Sequence, residues 1–278
     1  MSALRIAVVG HVEHVTLGRV AEVPAPGAIV HLERPFWFAG GGGGVAFAQL
    51  VRGPAEVHFL TAVGEDAAGD EVLAELRARG GHVHAVRRRE PHTRAVALVD
   101  SAGERTIVVV GEPQHPEARD PLPWGALAGF DATYFTAQDP AALRAARAAR
   151  VLVVTARRRA ALDASGVRAD VVVGSARDPR EASARGDYAV PPGALVLTEG
   201  ALGGRVETAD GAFRFAAPPS PPPGGGAYGA GDSFAAALTF YLAAGRSLAE
   251  ACARAARHGA AVLRSLDPRE GQTPLEDG

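Results

Sequence analysis

Residues 224–238 read GGGAYGAGDSFAAAL. The stretch is nearly bare backbone until one carboxylate, Asp232, and an apolar segment follows at once. Beyond that acid, Phe234, Ala237, Leu238, Tyr241 and Leu242 fall at i, i+3, i+4, i+7 and i+8, one face of a helix docked on a core. Gly229, Ala230 and Gly231 then lie at the helix N-terminus. Unpaired N–H groups and the positive end of the helix dipole attract an anion there, and glycines let it approach the backbone. An acid beside such a hole is suited to act as a general base, taking the proton of a hydroxyl that attacks a phosphoryl group. Asp232 or Ser233 would also serve as a plain helix cap. The glycine pattern and the long loop before it favour the catalytic alternative.

Upstream, AAPPSPPPGGGA (residues 216–227) reads as the loop that leads into this turn. LRIAVVG (4–10) is a short β-branched run closed by glycine, a buried strand. EVHFLTAVG, DATYFTA, RVLVVTA, RADVVVGS and GALVLTEG read as further strands. GGGGVAFAQLVR, AGDEVLAELRARGG and DPAALRAARAA read as helices among them. Strands alternating with helices predict a mainly parallel, helix-covered sheet. HVEHVTLGRV, GAIVHLERPFWF and the hairpin TRAVALVD/ERTIVVVGE alternate as strands with one wet face do, which suits a small β-lid over residues 11–38 and 93–110. There is no internal repeat and no long linker, so residues 1–278 are expected to form one domain with its lid.

The chain of 278 residues is 47% hydrophobic and 22% charged, enough for a sizeable core. A net charge of −2 argues against a nucleic-acid partner. The basic runs RRRE (87–90) and ARRRA (156–160) read as solvated surface. Cys252 is the only cysteine, so no intrachain disulfide can form, and a reducing compartment is expected. No window approaches the ~18 apolar residues of a membrane span, and the N-terminus lacks a signal-peptide pattern, so a cytoplasmic protein with no membrane contact is expected. Lysine and asparagine are both absent. That excludes a lysine-bearing P-loop, a kinase-type strand lysine and a Schiff base. Phosphate chemistry here must use arginine, backbone amides or a metal.

AYGAGDSF resembles the C-terminal signature of the PfkB, or ribokinase-like, carbohydrate kinases, DTxGAGDxF. Other segments fall in the family's order: AVVGHVEHV for its first strand and turn into the lid, GGGGGVAFAQLVR for its glycine motif, TAVGEDAAGD for VGxDxxG, and LTEGALGG for TxGxxG. The resemblance spans almost the whole chain. It implies a Rossmann-like core with a β-lid, ATP and Mg²⁺ as cofactors, and transfer of the γ-phosphate to a hydroxyl of a sugar-like small molecule. It implies Asp232 as base, and Gly229, Ala230 and Gly231 holding transition-state charge. Thr198, Gly200 and Gly203 would lie along the nucleotide, with His258 beside the base or simply packed in the core. His11, Glu13, Gly41, Gly42 and Gly43 would meet the acceptor.

Several positions depart from the family pattern. Gly226 stands in place of the acid that opens DTxGAGD, so no K⁺ requirement is expected. Glu13 and Val15 occupy the places of a substrate-binding Asn and Asp, and the glycine motif's Asn is replaced by Gly44 or Val45. The NxxE motif that organises Mg²⁺ is replaced by VVVGSARDPRE, in which Ser175 and Asp178 have a similar spacing, making Asp178 the candidate metal residue. Two alternatives remain open: a nucleoside kinase on the same scaffold, and a non-catalytic ligand-binding descendant, which retention of the whole GAGD disfavours.

Four further patterns carry less. In HVEH, His11 and Glu13 share a strand face and His14 points away, which is poor for chelation and better for substrate contacts. His82 and His84 in GHVHAV share a face and read as surface. The glycine run 40–44 follows a lid strand rather than the first strand, so it is a weak dinucleotide fingerprint. Ser247 and Glu250 make a capping box. The apolar faces and open edges of the lid strands predict a homodimer formed through the lid.

Overall fold

The protein is described here from a computed structural model covering residues 3–219 and 225–276. Strand β1 (Arg5–Val9) sits inside the main sheet, and Ile6, Ala7, Val8 and Val9 are fully buried. A strand covered on both faces must be apolar at consecutive positions, which is how RIAVV reads. The lid strands β2 (Glu13–Arg19) and β3 (Glu33–Gly40) follow, then helix α1 (Gly41–Leu50), β4 (Glu56–Gly64), α2 (Ala67–Ala78) and β5 (His82–Arg88). The second lid pair is β6 (Arg94–Val99) and β7 (Arg105–Val110). Then come β8 (Ala132–Phe135), α3 (Pro140–Ala146), β9 (Val151–Thr155), α4 (Arg159–Ser165), β10 (Val171–Ser175), β11 (Ala194–Thr198), β12 (Gly204–Thr208) and β13 (Ala212–Phe215). Helices α5 (Ala230–Ala243), α6 (Leu248–Val262) and α7 (Pro268–Gly271) complete the chain.

The nine-stranded sheet has the order β13-β12-β11-β10-β9-β8-β1-β4-β5. From β11 to β5 every pairing is parallel, and β12 and β13 add an antiparallel edge. One face packs against α1, α2, α5 and α6, the other against α3 and α4. The chain leaves β1 toward β4 and later returns to its other side at β8. The carboxyl ends of β1 and β8 therefore flank a topological switch point, where open α/β sheets bind ligands. The lid is a separate four-stranded sheet, β3-β2-β6-β7, with Val15, Leu17, Phe38, Ala95, Ala97 and Val99 on its inner face.

The expected β-lid and helix-covered parallel sheet are both present, and the fold is ribokinase-like. Three local readings change. Residues 27–32 are not strand, and β3 instead runs on to Gly40. The helix expected after the glycine run begins inside it, because its first turn abuts neighbouring backbone: a Cβ on Gly43 would lie 2.5 Å from the His11 carbonyl oxygen. Helix α5, expected to be amphipathic, is buried nearly all round, because α1 and α6 cover the sides that the sheet does not. Residues 220–224 of the expected proline- and glycine-rich loop lie outside the described residues.

Candidate active site

The switch point is closely built. A Cβ on Gly10, just past β1, would lie 2.3 Å from Thr136 Cγ2, just past β8. Above this junction the N-termini of α1 and α5 converge. A Cβ on Gly42 would sit 3.2 Å from Asp232 Oδ1 and 3.1 Å from Thr136 Oγ1, and one on Gly41 would sit 3.2 Å from Glu13 Cγ and 3.1 Å from His11 Cδ2. Gly41 has φ +72° and Gly229 φ +78°, left-handed conformations that glycine adopts without strain. The Tyr228 hydroxyl accepts the Gly41 N–H at 3.0 Å and so ties the GAGD turn to the head of α1. Asp232, His11, Glu13, Gly41 and Gly42 thus meet in one place, while Gly43 packs inward against Phe59.

Neither converging helix has a side-chain cap. In α5, Ser233 N–H already bonds the Gly229 carbonyl, while the N–H groups of Ala230 and Gly231 have no partner among the described residues. A Cβ on Gly231 would meet nothing within 4 Å, so the space above the turn is open. Asp232 is the acidic residue of that first turn and is half-buried.

The charges are set by burial. Asp232 is raised to about 6 by burial and by the nearby Glu181 carboxylate, while Arg105 of the lid and Arg157 act the other way. Glu13, buried at 7% exposure, is raised to about 7 by burial and by Asp232, with Arg158 opposing. His11 falls to about 3 through burial and Arg158, and His115 to about 2 through burial and His11. Both are neutral imidazoles, with ring centroids 5.0 Å apart. Among the described residues, His11 Nδ1 and both ring nitrogens of His115 have no hydrogen-bond partner. Buried polar atoms without partners are costly, so this corner suits a ligand rich in hydroxyls.

The run at 156–160 is surface only in part: Arg157, Arg159 and Ala160 are exposed, but Arg158 is not. Arg158 turns inward, its Nε donating to the Thr136 carbonyl at 2.9 Å, and among the described residues it meets no carboxylate. Arg157 bridges Asp178 at 2.5 Å and Glu181 at 2.6 Å. In the other basic run, Arg88 is likewise engaged, forking onto buried Asp120 at 2.8 and 2.6 Å. A charge run on a short loop reads as surface until its register over the strand ends is known.

Asp178 fits a metal poorly. Arg180 and Arg157 hold its carboxylate, keeping it ionised well below its usual range. Sequence spacing missed Glu181, three residues on. Glu181 folds back so that Oε2 accepts the Ser175 N–H at 2.8 Å at the end of β10, and its charge reaches Asp232. Mg²⁺ is usually bound by one or two carboxylates with waters and substrate phosphates. Glu181 is the mostly buried carboxylate whose charge reaches the open turn of α5, and with Oε1 on Arg157 and Oε2 on the Ser175 N–H it could join that donor set only by exchanging Arg157 for the ion.

Along the expected nucleotide side, Thr198 ends β11 with its hydroxyl donating to the Gly174 carbonyl at 3.2 Å. Gly200 lies under Arg177, whose Cζ would be 2.7 Å from a Cβ there, so this turn carries a guanidinium that the sequence did not single out. Gly203 has a packing reason of its own, since a Cβ would lie 2.0 Å from the Phe215 carbonyl. His258 is buried, with Nε2 on the Tyr241 hydroxyl at 3.0 Å and Nδ1 on the Thr273 hydroxyl at 2.8 Å. Both nitrogens are taken, which is the core-packing alternative for that residue.

The sequence pattern described as "pfkB family carbohydrate kinase" matches residues 3–185 and 168–274. The chain belongs to this family. Among solved structures, a candidate ribokinase from Agrobacterium tumefaciens superposes with a TM-score of 0.81 at 19% identity, covering 99% of this chain and 96% of its own. A ribokinase from Arabidopsis thaliana, complexed with ribose and ATP, gives 0.76 at 17% identity over 98% and 96%. A nucleoside kinase from Methanocaldococcus jannaschii gives 0.71 at 14% over 97% and 94%. At these identities the likeness is one of fold. No curated protein sequence matches the chain. No helix among the described residues is long and apolar enough to cross a membrane.

Proposed function

We propose that the protein is an ATP-dependent kinase that moves the γ-phosphate to a hydroxyl of a sugar or sugar-like small molecule. The observation that carries this is Asp232: a carboxylate with a raised pKa at the open head of α5, within touching distance of the head of α1. Asp232 takes the proton of the attacking hydroxyl. The N–H groups of Ala230 and Gly231 stabilise charge on the transferring phosphoryl group, and Arg158 supplies a cation beside it. His11 and Glu13 hydrogen-bond the acceptor, and Thr198 and Gly200 lie along the nucleotide. Glu181 is the residue that would hold Mg²⁺, in exchange for Arg157, and the ion's charge would offset that of the phosphates. An ATP-consuming role and a lone buried cysteine suit the cytoplasm.

The test is an ADP-release assay over a panel of sugars and nucleosides, with Asp232→Asn beside the wild type. At least one sugar should support turnover, and Asp232→Asn should lose about 10²–10⁴-fold while still binding nucleotide. More than half the activity remaining in the variant removes Asp232 as the base. Turnover on nucleosides alone replaces the sugar by a nucleoside as acceptor.

The proposal extends to a homodimer through the lid. Ile107, Val108, Val109 and Val110 of the edge strand β7 are 41–54% exposed, and Trp37 of β3 is 39% exposed. An uncovered apolar edge strand invites pairing. Sedimentation at micromolar concentration should give a dimer, and Val108→Lys with Val110→Lys should give a monomer. A wild-type monomer rules the dimer out.

A further inference from the structure

At the opposite, amino-terminal end of the parallel strands the protein carries a second cluster, unrelated to phosphate chemistry. β4 opens with Glu56 and β5 with His82. The register sets His58 beside His82 and Leu60 beside His84, so Glu56, His58, His82 and His84 share one face at the sheet edge. His58 is the centre. Its Nε2 lies 2.7 Å from Glu56 Oε1, and its Nδ1 lies 3.0 Å from His84 Nε2. The His82 ring packs on it with centroids 4.4 Å apart, and Phe130 closes the inner side edge-on at 4.9 Å.

We propose that Glu56, His58 and His82 form a binding site for a zinc-class divalent metal, with His84 orienting His58 from behind. One ligand atom from each of the three lies within 4.8 Å of the others. Bonds of about 2.0–2.2 Å place ligand atoms about 3.4 Å apart, so His82 must approach and the 2.7 Å hydrogen bond between His58 and Glu56 must open to admit the ion. His82 is the exposed arm that can swing to do so, and it makes no hydrogen bond of its own among the described residues. His58 is already held from behind as metal sites hold a ligating imidazole. With Nε2 of His58 on the metal, its Nδ1–H donates to His84, the second hydrogen bond that fixes a ligating imidazole.

A hydrogen-bonded relay from His84 through His58 to Glu56 accounts for three of the four residues without a metal. It gives no role to His82. The donor set also chooses the metal. Imidazoles suit zinc, nickel and copper, whereas magnesium and calcium need oxygen shells. Arg5 Nε, 3.4 Å from Glu56 Oε1, further disfavours a hard cation held by charge alone. The metal would clip the edge strand β5 to β4 at the end of the sheet remote from Asp232.

The test uses the full chain, stripped with chelator and titrated with zinc sulfate by calorimetry without nucleotide, alongside thermal unfolding. The expected result is one saturable site in the micromolar range and a rise in Tm with zinc. His84→Ala should bind about 10–100-fold more weakly, and the exposed His82→Ala at least as much, with loss of the Tm rise. Glu181→Gln should bind zinc as the wild type does, and millimolar magnesium should not compete. His82→Ala should also keep wild-type turnover. Zinc affinity unchanged in His82→Ala, or no saturable binding in the micromolar range, overturns the proposal. A zinc site lost in Glu181→Gln instead would also overturn it, by moving the metal to the phosphate side.

Discussion

The helices of this protein begin in two ways. Four start under a side-chain cap: Asp66 accepts the Gly69 N–H of α2 at 3.0 Å, Asp139 accepts two N–H groups of α3, Ser247 caps α6 and Asp267 caps α7. The two long glycine-headed helices, α1 and α5, have none, and α4 begins just as openly at Arg158. A missing cap costs about 0.5–2 kcal/mol. The capped starts are spread over the molecule, whereas α1 and α5 open onto the same few ångströms around Asp232. On the proposed function, stability is forgone where an anion is to be received, because a capping side chain would fill the place of the ligand.

The largest effect after loss of Asp232 itself is expected at the head of α1. Glu13→Gln should raise the acceptor KM by roughly 10–100-fold and leave the ATP KM nearly unchanged, since hydrogen bonds to a charged group are worth about 1.5–3 kcal/mol. The same change should stabilise the protein at high pH. The Glu13 carboxyl is raised from 4.5 to about 7, so the fold favours its protonated form. That contribution is complete below pH 4.5 and lost as pH rises through about 7. Glutamine stays neutral, so the variant should unfold at a higher temperature than wild type at pH 8 and at about the same temperature at pH 4.5. An unchanged acceptor KM removes Glu13 from the site, and an unchanged Tm at pH 8 removes the burden of its charge.

A smaller effect is expected at the head of α5. A base works when deprotonated, so kcat/KM should rise with pH through about 6 and level off above 7. Burial is the first cause of the raised value and Glu181 the second. Removing that charge in Glu181→Gln frees Arg157 from one partner and lowers the pKa of Asp232, so the acid limb should move to lower pH. The profile is to be taken at saturating Mg²⁺, which separates this shift from weaker metal binding. A midpoint that stays in place shows that Glu181 is too far or too screened to act on the base.

What the sequence disclosed follows from which interactions are local. The GAGD turn, the lid pairs and the parallel strands are written in short-range patterns, and all are present in the fold. The sequence also separated His11 and Glu13 from His14, and the structure stacks His14 on Trp37 away from them. Contacts that depend on register between distant strands were illegible. Arg158 read as surface because its burial is decided by Thr136 and the end of β8. Glu181 was passed over for Asp178 because spacing shows neither the backward fold onto the Ser175 N–H nor the guanidinium groups that occupy Asp178. An acid six residues after a strand-ending serine was the signal available. His82 and His84 read as solvent-facing because His58 joins them only through the pairing of β4 with β5.

The smallest expected effect lies on the capped side of the comparison. Asp66→Ala removes the acceptor for the Gly69 N–H at the head of α2 and weakens an exposed contact to Arg94 at 3.5 Å. The contact to Arg94 is worth little, because partly exposed ion pairs are screened. The loss of the cap should therefore dominate, at about 0.5–2 kcal/mol. In a chain of this size that lowers Tm by about 1–8 °C. Helix α2 packs against the sheet and the lid strand β3, and its head bears none of the groups that meet Asp232. Both KM values and kcat should stay within twofold of wild type at a temperature where the variant is folded. This is the counterpart of the open helices, where the same chemical feature is absent and function is expected to depend on its absence. A fall in kcat without a fall in Tm would place α2 in the phosphate machinery and end the distinction between the two kinds of helix start.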